Sequence, residues 1–369
     1  MGSEHIHILP LTQAGDTRSE AKCLEVLDCI LNSDSSRECP TLPLPANSTI
    51  TFPMQPLFFD LKQIRRSVWF YRVPSTYSSL IILKDRHLVL IDFLDVPNGL
   101  SNSSSVISAI NMVLNGTIPD RVDMVYSHEH YDHIGAATLV YNFIKDSFPK
   151  TLVHIWGTWE TFKLIRESDS NRAPLPNIIV GRRGAVLKVS DSLRIEMKIV
   201  GGHTLADMLL YIPPNNSEPG IVMYIDTVFP GYVPPFDLAM TENIRRYIEV
   251  QKALLHLDFG MLVSGHIRIG SKVDVQENLM YTEDLLQAAQ ASINSLTPEG
   301  LGRAGFNKAL NPRANEFGNV WFSFDVLRKV QSEFCFKIMA RKWGCRLGGL
   351  DIMTRGHCFA AVNYITLET

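Results

Sequence analysis

The sequence predicts an α/β layered fold in which two sheets carry helices on their outer faces. From residue 66 onward, short runs rich in β-branched, aromatic and other apolar residues alternate with longer helical segments. Their order of strands, helix, strands and helix is typical of layered folds that combine sheets with helices. Histidine and aspartate residues recur where the predicted strands end.

The predicted elements cover most of the chain between residues 66 and 296. The predicted strands are 68–73, 79–83, 87–93, 122–126, 152–155, 178–180, 186–189, 193–200, 208–212, 221–225 and 261–263. The predicted helices are 21–31, 106–114, 135–145, 241–256, 275–296 and 323–342. The helix at 135–145 would begin directly after the histidine-rich segment.

Three regions are expected along the chain. Residues 1–65 form an N-terminal arm, because prolines and a polar run interrupt any periodic pattern there. Residues 66–270 form the main α/β domain. Residues 271–369 form a mostly helical extension, which would serve as a lid over a cleft or as the interface of a homodimer.

Composition excludes two classes of partner. Apolar residues make up 46% of the chain, charged residues 20%, and the formal net charge is −3, so no basic nucleic-acid surface is expected. No apolar run reaches the roughly 18–20 residues that a membrane span needs. The first residues lack the pattern of a secretory leader, so the protein is expected to be cytoplasmic, or secreted if a leader was removed.

The six cysteines lie near the two ends of the chain, and no two have Cys-x-x-Cys spacing. We expect reduced, mostly buried thiols. A disulfide between the N-terminal arm and the C-terminal segment is the alternative.

Histidine is concentrated in one short segment. Three of the eleven histidines fall within residues 128–133, directly after a predicted strand. Neutral imidazole is a good zinc ligand. His128 and His130 are placed to converge on one cation, while Asp132 and His133 point to a second. Without metal, burying these polar groups together would cost free energy, because they would lack partners.

Four further residues lie at or just after the ends of predicted strands. His203 follows strand 193–200 and would complete the first ligand set. Asp226 follows strand 221–225, and its carboxylate is suited to bridge two cations. His266 follows strand 261–263 and would join the second set. Asp92, at the end of strand 87–93, is expected to accept a hydrogen bond from a ligand histidine and fix its orientation.

These residues resemble the ligand set of the metallo-β-lactamase superfamily. The family's His-x-His-x-Asp-His motif matches residues 128–133 without gaps, and its three later ligands match His203, Asp226 and His266. The resemblance covers roughly residues 66–270. It implies an αββα sandwich with the metals at one edge.

The resemblance also implies a reaction. In hydrolytic members of the family, two zinc ions share a hydroxide that attacks a carbonyl carbon. We therefore expect two Zn²⁺ per chain and hydrolysis of a small-molecule substrate, namely a lactone, lactam or ester. Asp132 is expected to act as a ligand and as a proton acceptor. Tyr131 lies inside the motif and is expected to face the substrate. Tyr232 either reaches the substrate from the loop at 229–232 or serves only in packing.

The same residues are compatible with other activities. A thioesterase would use the same ligands, whereas a mononuclear iron dioxygenase acting on a thiol or persulfide usually keeps fewer. A protein that only binds metal, without catalysis, is expected to lack at least one of the seven ligands. This chain has all seven. The β-lactamase class with a cysteine ligand is excluded, because no cysteine lies between Cys39 and Cys335. Lactonase members carry a tyrosine where this chain has Phe229.

Overall fold

The computed structural model describes residues 17–32, 38–45, 48, 59–73, 77–95, 104–168, 171, 173–215, 218–303 and 321–368. The chain divides into two compact units. The larger unit comprises Ile50–Pro230 and Thr241–Glu277, and the smaller comprises Met1–Thr49, Gly231–Met240 and Asn278–Thr369. The predicted ranges 1–65, 66–270 and 271–369, and the lid or interface role of the last, stay predictions.

The first sheet of the larger unit has seven strands in chain order. They are β1 (Asp60–Arg65), β2 (Val68–Arg72), β3 (Ser78–Lys84), β4 (His87–Ile91), β5 (Arg121–Val125), β6 (Leu152–Thr158) and β7 (Ile178–Val180). Strands β1 to β4 pair antiparallel, and β4 to β7 pair parallel. Strand β1 lies in the segment that the sequence assigns to the arm.

The second sheet has five strands. They are β8 (Ala185–Lys188), β9 (Arg194–Ile199), β10 (Met208–Ile212), β11 (Ile221–Met223) and β12 (Met261–Val263), in the spatial order β12-β11-β10-β9-β8. Only β11 and β12 pair parallel. Their carboxyl ends therefore meet at one edge.

Helices connect and cover these strands. The described helices are α1 (Thr17–Asn32), α2 (Ser104–Leu114), α3 (Tyr131–Ile134), α4 (Ala137–Ser147), α5 (Trp159–Glu167), α6 (Ile244–Leu254), α7 (Lys272–Asn294), α8 (Pro298–Arg303), α9 (Trp321–Trp343) and α10 (Leu350–Leu367). Helix α5 was not predicted, although Thr158 caps it by accepting a hydrogen bond from Thr161 N. None of the described helices is long and apolar enough to cross a membrane.

Burial on both faces of β4 explains the layering. Side chains of a strand alternate between faces, so a continuous apolar run is buried on both. Leu88 and Leu90 pack on the core shared with α2 and α4. Val89 and Ile91 pack on the core between the sheets, together with side chains of the second sheet such as Ile195.

The outer face of the second sheet is covered as well. Val250 and Leu254 of α6 pack there with Val222 and Leu262. Helices thus cover the outer faces of both sheets, and the predicted α/β sandwich with helices outside two sheets is confirmed.

A buried carboxylate holds the middle of β5 to its neighbours. Asp123 is fully buried, and it accepts hydrogen bonds from Trp156 Nε1 at 2.6 Å and Arg121 Nε at 2.6 Å. His87 Nε2 lies 2.5 Å from the same carboxylate. Burial opposes ionisation, but the hydrogen bonds from His87, Arg121 and Trp156 outweigh it and hold the pKa of Asp123 at about 2. This network ties together the three parallel strands β4, β5 and β6.

The three described disulfides all lie in the smaller unit. Cys23 pairs with Cys345, Cys29 with Cys39, and Cys335 with Cys358. The expectation of reduced thiols is wrong, and the alternative bridge between the two ends of the chain is found at Cys23 and Cys345. Sequence spacing does not reveal such a pair, because tertiary packing brings Cα atoms 322 residues apart to within 5.9 Å.

Substituting Asp123 by Asn should destabilise the fold in a pH-dependent way. The folded-state pKa of Asp123 is depressed, so its contribution is present above its ordinary value of 3.8 and is lost as the pH falls towards about 2. We expect Asp123→Asn to lower the free energy of unfolding by about 2 kcal/mol at pH 7. The gap between the variant and the unsubstituted protein in this free energy should narrow below pH 4.

Urea unfolding at several pH values measures this gap. The exposed Asp120, which pairs with Arg86 at the surface, supplies the control. Asp120→Asn should cost no more than about 1 kcal/mol at any pH. A gap for Asp123→Asn that stays constant down to pH 3 would contradict the assignment.

Candidate metal centre

Strand ends at one edge of each sheet carry the predicted ligands. In the first sheet, the segment after β5 carries His128 and His130, and the one-turn helix α3 carries Asp132 and His133. In the second sheet, the segments after β9, β11 and β12 carry His203, Asp226 and His266. The motif is local in sequence, while the other three ligands depend on how the sheets pack together.

The structure brings all seven residues together in two groups. The first group is His128, His130, His203 and Asp226, and the second is Asp132, His133 and His266. Within each group, every residue offers a ligand atom within 4.8 Å of the others. The sequence predicts the same two groups, and Asp226 lies close to the histidines of both.

Asp226 faces imidazoles of both groups. Its Oδ2 lies 3.5 Å from His128 Nε2, 3.4 Å from His203 Nε2 and 3.3 Å from His133 Nε2, while Oδ1 lies 2.7 Å from His266 Nε2. The residue has a left-handed backbone, with φ of 58°. That conformation turns the chain sharply after β11 and costs an ordinary residue about 1 kcal/mol.

The charges of this cluster balance one another. Burial opposes ionisation of Asp226, but the facing His133 and His266 hold its pKa well below the usual range. Burial also disfavours the charged form of His133, yet Asp226 and Asp132 outweigh it and raise its pKa to about 10. Burial lowers the pKa of His128 well below its ordinary value, which keeps it neutral. A divalent cation would take over the compensating charge that the His133 proton supplies here.

The donor set fits a divalent transition metal. His128 Nε2 and both ring nitrogens of His133 are buried and make no hydrogen bond among the described residues. Buried polar nitrogens without such partners are costly, and bound metal would remove that cost. Imidazole nitrogens with carboxylate oxygens are ligands that zinc accepts.

Asp92 supports the motif through a serine. It accepts hydrogen bonds from Ser127 N and Ser127 Oγ, each at 2.8 Å, and Ser127 Oγ lies 2.9 Å from His128 Nδ1. Asp92 Oδ2 is also 3.7 Å from His133 Nδ1. Burial raises the pKa of Asp92 to about 6, against the opposing effect of His133. Asp92 therefore accepts its hydrogen bonds from Ser127 rather than from a ligand histidine as predicted, and it is connected to His128 only through the Ser127 hydroxyl.

The two tyrosines predicted to face substrate bond to groups outside the ligand set. The Tyr131 hydroxyl donates to the Asp95 carboxylate, and its ring lies against Gly135, where an added Cβ would meet ring atoms at 2.4 Å. Tyr232 lies in the smaller unit, where its hydroxyl donates to Ser48 O at 2.9 Å. Their proposed roles in catalysis stay predictions.

A third tyrosine, Tyr77, was not predicted. Its ring centroid lies 4.5 Å from that of His266 and 5.7 Å from that of His133. Burial, followed by the carboxylates of Asp132 and Asp226, raises its pKa, so the phenol keeps its proton. Tyr77 directly precedes β3, and no sequence spacing links it to His266.

Comparisons with known proteins find similar solved structures but no matching family model or curated protein. The chain is similar to VMB-1, with 16% identity over 62% of this chain and 98% of that one, and a TM-score of 0.47. A metallo-β-lactamase from Pontibacter korlensis matches with 18% identity, 61% and 99% coverage, and a TM-score of 0.47. The DIM-1 metallo-β-lactamase matches with 14% identity, 61% and 97% coverage, and a TM-score of 0.47.

Gly265, directly before His266, should be required for the geometry of the site. Its φ is 85°, and an added Cβ would meet Ile225 Cγ2 at 2.7 Å and His133 Cε1 at 3.1 Å. Gly201 has a similar φ of 64°, but the nearest atom to its added Cβ is 3.5 Å away. The pair therefore separates backbone strain from crowding.

We expect Gly201→Ala to cost about 1 kcal/mol from backbone strain alone. Gly265→Ala should cost about 1–3 kcal/mol more and weaken metal binding, because Ile225 or His133 must move. Urea unfolding and zinc titration of both variants measure the two effects. Equal losses for the two variants would show that crowding at His133 is unimportant.

Proposed function

We propose that this protein is a metal-dependent hydrolase that holds two zinc ions and cleaves a small lactone, lactam or ester. One observation carries the proposal: the buried Asp226 carboxylate faces imidazoles of both ligand groups. A carboxylate between two sets of metal ligands suits a pair of closely spaced cations. Such pairs stabilise both the attacking and the leaving oxygen of a displacement.

The residues divide into buried and open members. His128, His133, His203 and Asp226 are buried, whereas His130, Asp132 and His266 are partly exposed. Substrate would therefore approach from the side of the last three. Zinc, when bound, supplies an acidified water and a Lewis acid for a carbonyl oxygen. The Asp132 carboxylate, with its side chain 27% exposed, is the group in this chain that accepts a proton on the open side.

Two other activities use the same residues. A thioesterase would need the same ligands, with an acyl thioester in place of the ring or ester. An iron-dependent oxidation of a thiol or persulfide is disfavoured, because all seven positions are present and Asp226 lies close to both groups. Substrate and metal measurements distinguish these activities.

The test is turnover of a mixed panel of lactones, lactams, esters and thioesters by zinc-loaded protein, followed by mass spectrometry. Addition of one water to a cyclic compound is the expected result. Cleavage of linear thioesters alone would replace the proposal with a thioesterase. Bound iron with oxygen consumption and no hydrolysis would replace it with the oxidative activity.

The variant His128→Ala should lose this turnover while its fold stays intact. Removing a ligand from a metal that contributes several kcal/mol of transition-state stabilisation should lower the rate roughly 10³-fold or more. His256 is exposed and lies outside both ligand groups, so His256→Ala is the matched control and should keep full activity. Equal activity in the two variants would refute the proposed site.

We further propose that the protein works in an oxidising compartment rather than in the cytoplasm. The six cysteines form three disulfides, and such bridges persist in oxidising surroundings and are rare in cytosolic proteins. Protein from its native source, denatured without reductant in the presence of a thiol-alkylating reagent, should show no alkylated cysteine. Alkylation of all six would restore the cytoplasmic expectation.

A further inference from the structure

Tyr77 contacts every member of the second ligand group. Its phenol lies beside the Asp132 carboxylate, and burial together with that carboxylate raises the pKa of Tyr77. Its ring lies edge-on to His133, with centroids 5.7 Å apart, and tilted against His266, with centroids 4.5 Å apart. One side chain thus touches a carboxylate and two imidazoles that together would hold one cation.

The backbone fixes where this phenol lies. Tyr77 pairs with His266 as an antiparallel bridge, and the next residue, Ser78, donates its N–H to Gly265 O at 2.7 Å. On the other side, Val73 N donates to Tyr77 O at 2.9 Å. The bridge and the Ser78 bond join the start of β3 in the first sheet to the segment after β12 in the second, whereas the Val73 bond lies within the first sheet. The position of Tyr77 is therefore set by backbone contacts that do not depend on metal.

We propose that Tyr77 is a positioning residue that sets the geometry of the second ligand group, Asp132, His133 and His266. The proposal rests on the two-metal site described under the proposed function. The Tyr77 hydroxyl would restrict which oxygen of the Asp132 carboxylate faces the cation. The Tyr77 ring would limit the rotation of the imidazoles that it contacts. The first group has separate support, since Ser127 Oγ contacts His128 Nδ1 at 2.9 Å. Loss of the Tyr77 hydroxyl should therefore affect one site and spare the other.

The test is zinc affinity by competition with a chelator, on the full-length protein. Tyr77→Phe keeps the ring and removes the hydroxyl. It should weaken one of the two zinc-binding steps by about 10- to 100-fold and leave the other unchanged, which is the usual effect of losing a partner that orients a ligand. Tyr77→Leu also removes the ring and should weaken the same step further.

Tyr71→Phe is the matched control. Tyr71 lies on β2 in the same hairpin, is fully buried, and its hydroxyl bonds to Ser105 Oγ at 2.7 Å, away from the ligands. A purely structural loss should appear equally in Tyr71→Phe and Tyr77→Phe. With cobalt in place of zinc, Tyr77→Phe should alter the visible absorption of only one of the two bound equivalents.

The outcomes separate this proposal from the function itself. Two unchanged zinc-binding steps in Tyr77→Phe would overturn the positioning role and leave the hydrolase function standing. Weakening of both steps to the same extent would also overturn it, since the effect would not be confined to the second group. Suppose that Tyr77→Phe weakens only one zinc-binding step, but the unsubstituted protein turns over no compound of the panel. That result would support the positioning role of Tyr77 and overturn the proposed substrate class.

Discussion

The buried carboxylate of Asp226 is the constraint on which the rest of the site depends. It lies within 2.7–3.5 Å of one nitrogen from each of four histidines. A buried carboxylate is tolerated only with compensating charge, and buried imidazole nitrogens are costly without a hydrogen-bond partner or a cation. Metal binding at this edge would therefore be linked to its folding, because protons and cations would compete for the same buried nitrogens.

Neither sheet can build this arrangement alone. The first sheet supplies the four ligands of the motif and Tyr77, while the second supplies His203, Asp226 and His266. The apolar core between the sheets, with residues such as Val89 and Ile195, holds the two edges in register. A change in sheet packing of about 1 Å would be felt directly at the ligand atoms, since metal sites tolerate only small errors in distance.

Hydrogen bonds behind the ligands complete the arrangement. Ser127 connects Asp92 to His128, and Tyr77 contacts the second group. Both supports come from the first sheet, yet Tyr77 also pairs its backbone with His266 in the second. Tyr77 thus joins the sheets through its backbone and contacts a candidate ligand through its ring, so the geometry of the site and the packing of the sheets are not independent.

The sequence by itself predicted the motif, the seven candidate ligands and the two groups in which the structure places them. That was possible because His128, His130, Asp132 and His133 are close in the chain, and because the remaining ligands directly follow apolar runs that read as strands. It also predicted the two-sheet α/β architecture, because strands, helix, strands and helix follow one another in that order along the chain.

Tertiary structure decided the rest. The Tyr77–His266 contact, the bond from Tyr131 to Asp95 and the Cys23–Cys345 bridge each join segments whose separation in the chain carries no signal. Periodicity reports which face of an element is buried. It does not report which distant residue lies opposite, because that depends on strand register and on the packing of one layer against another.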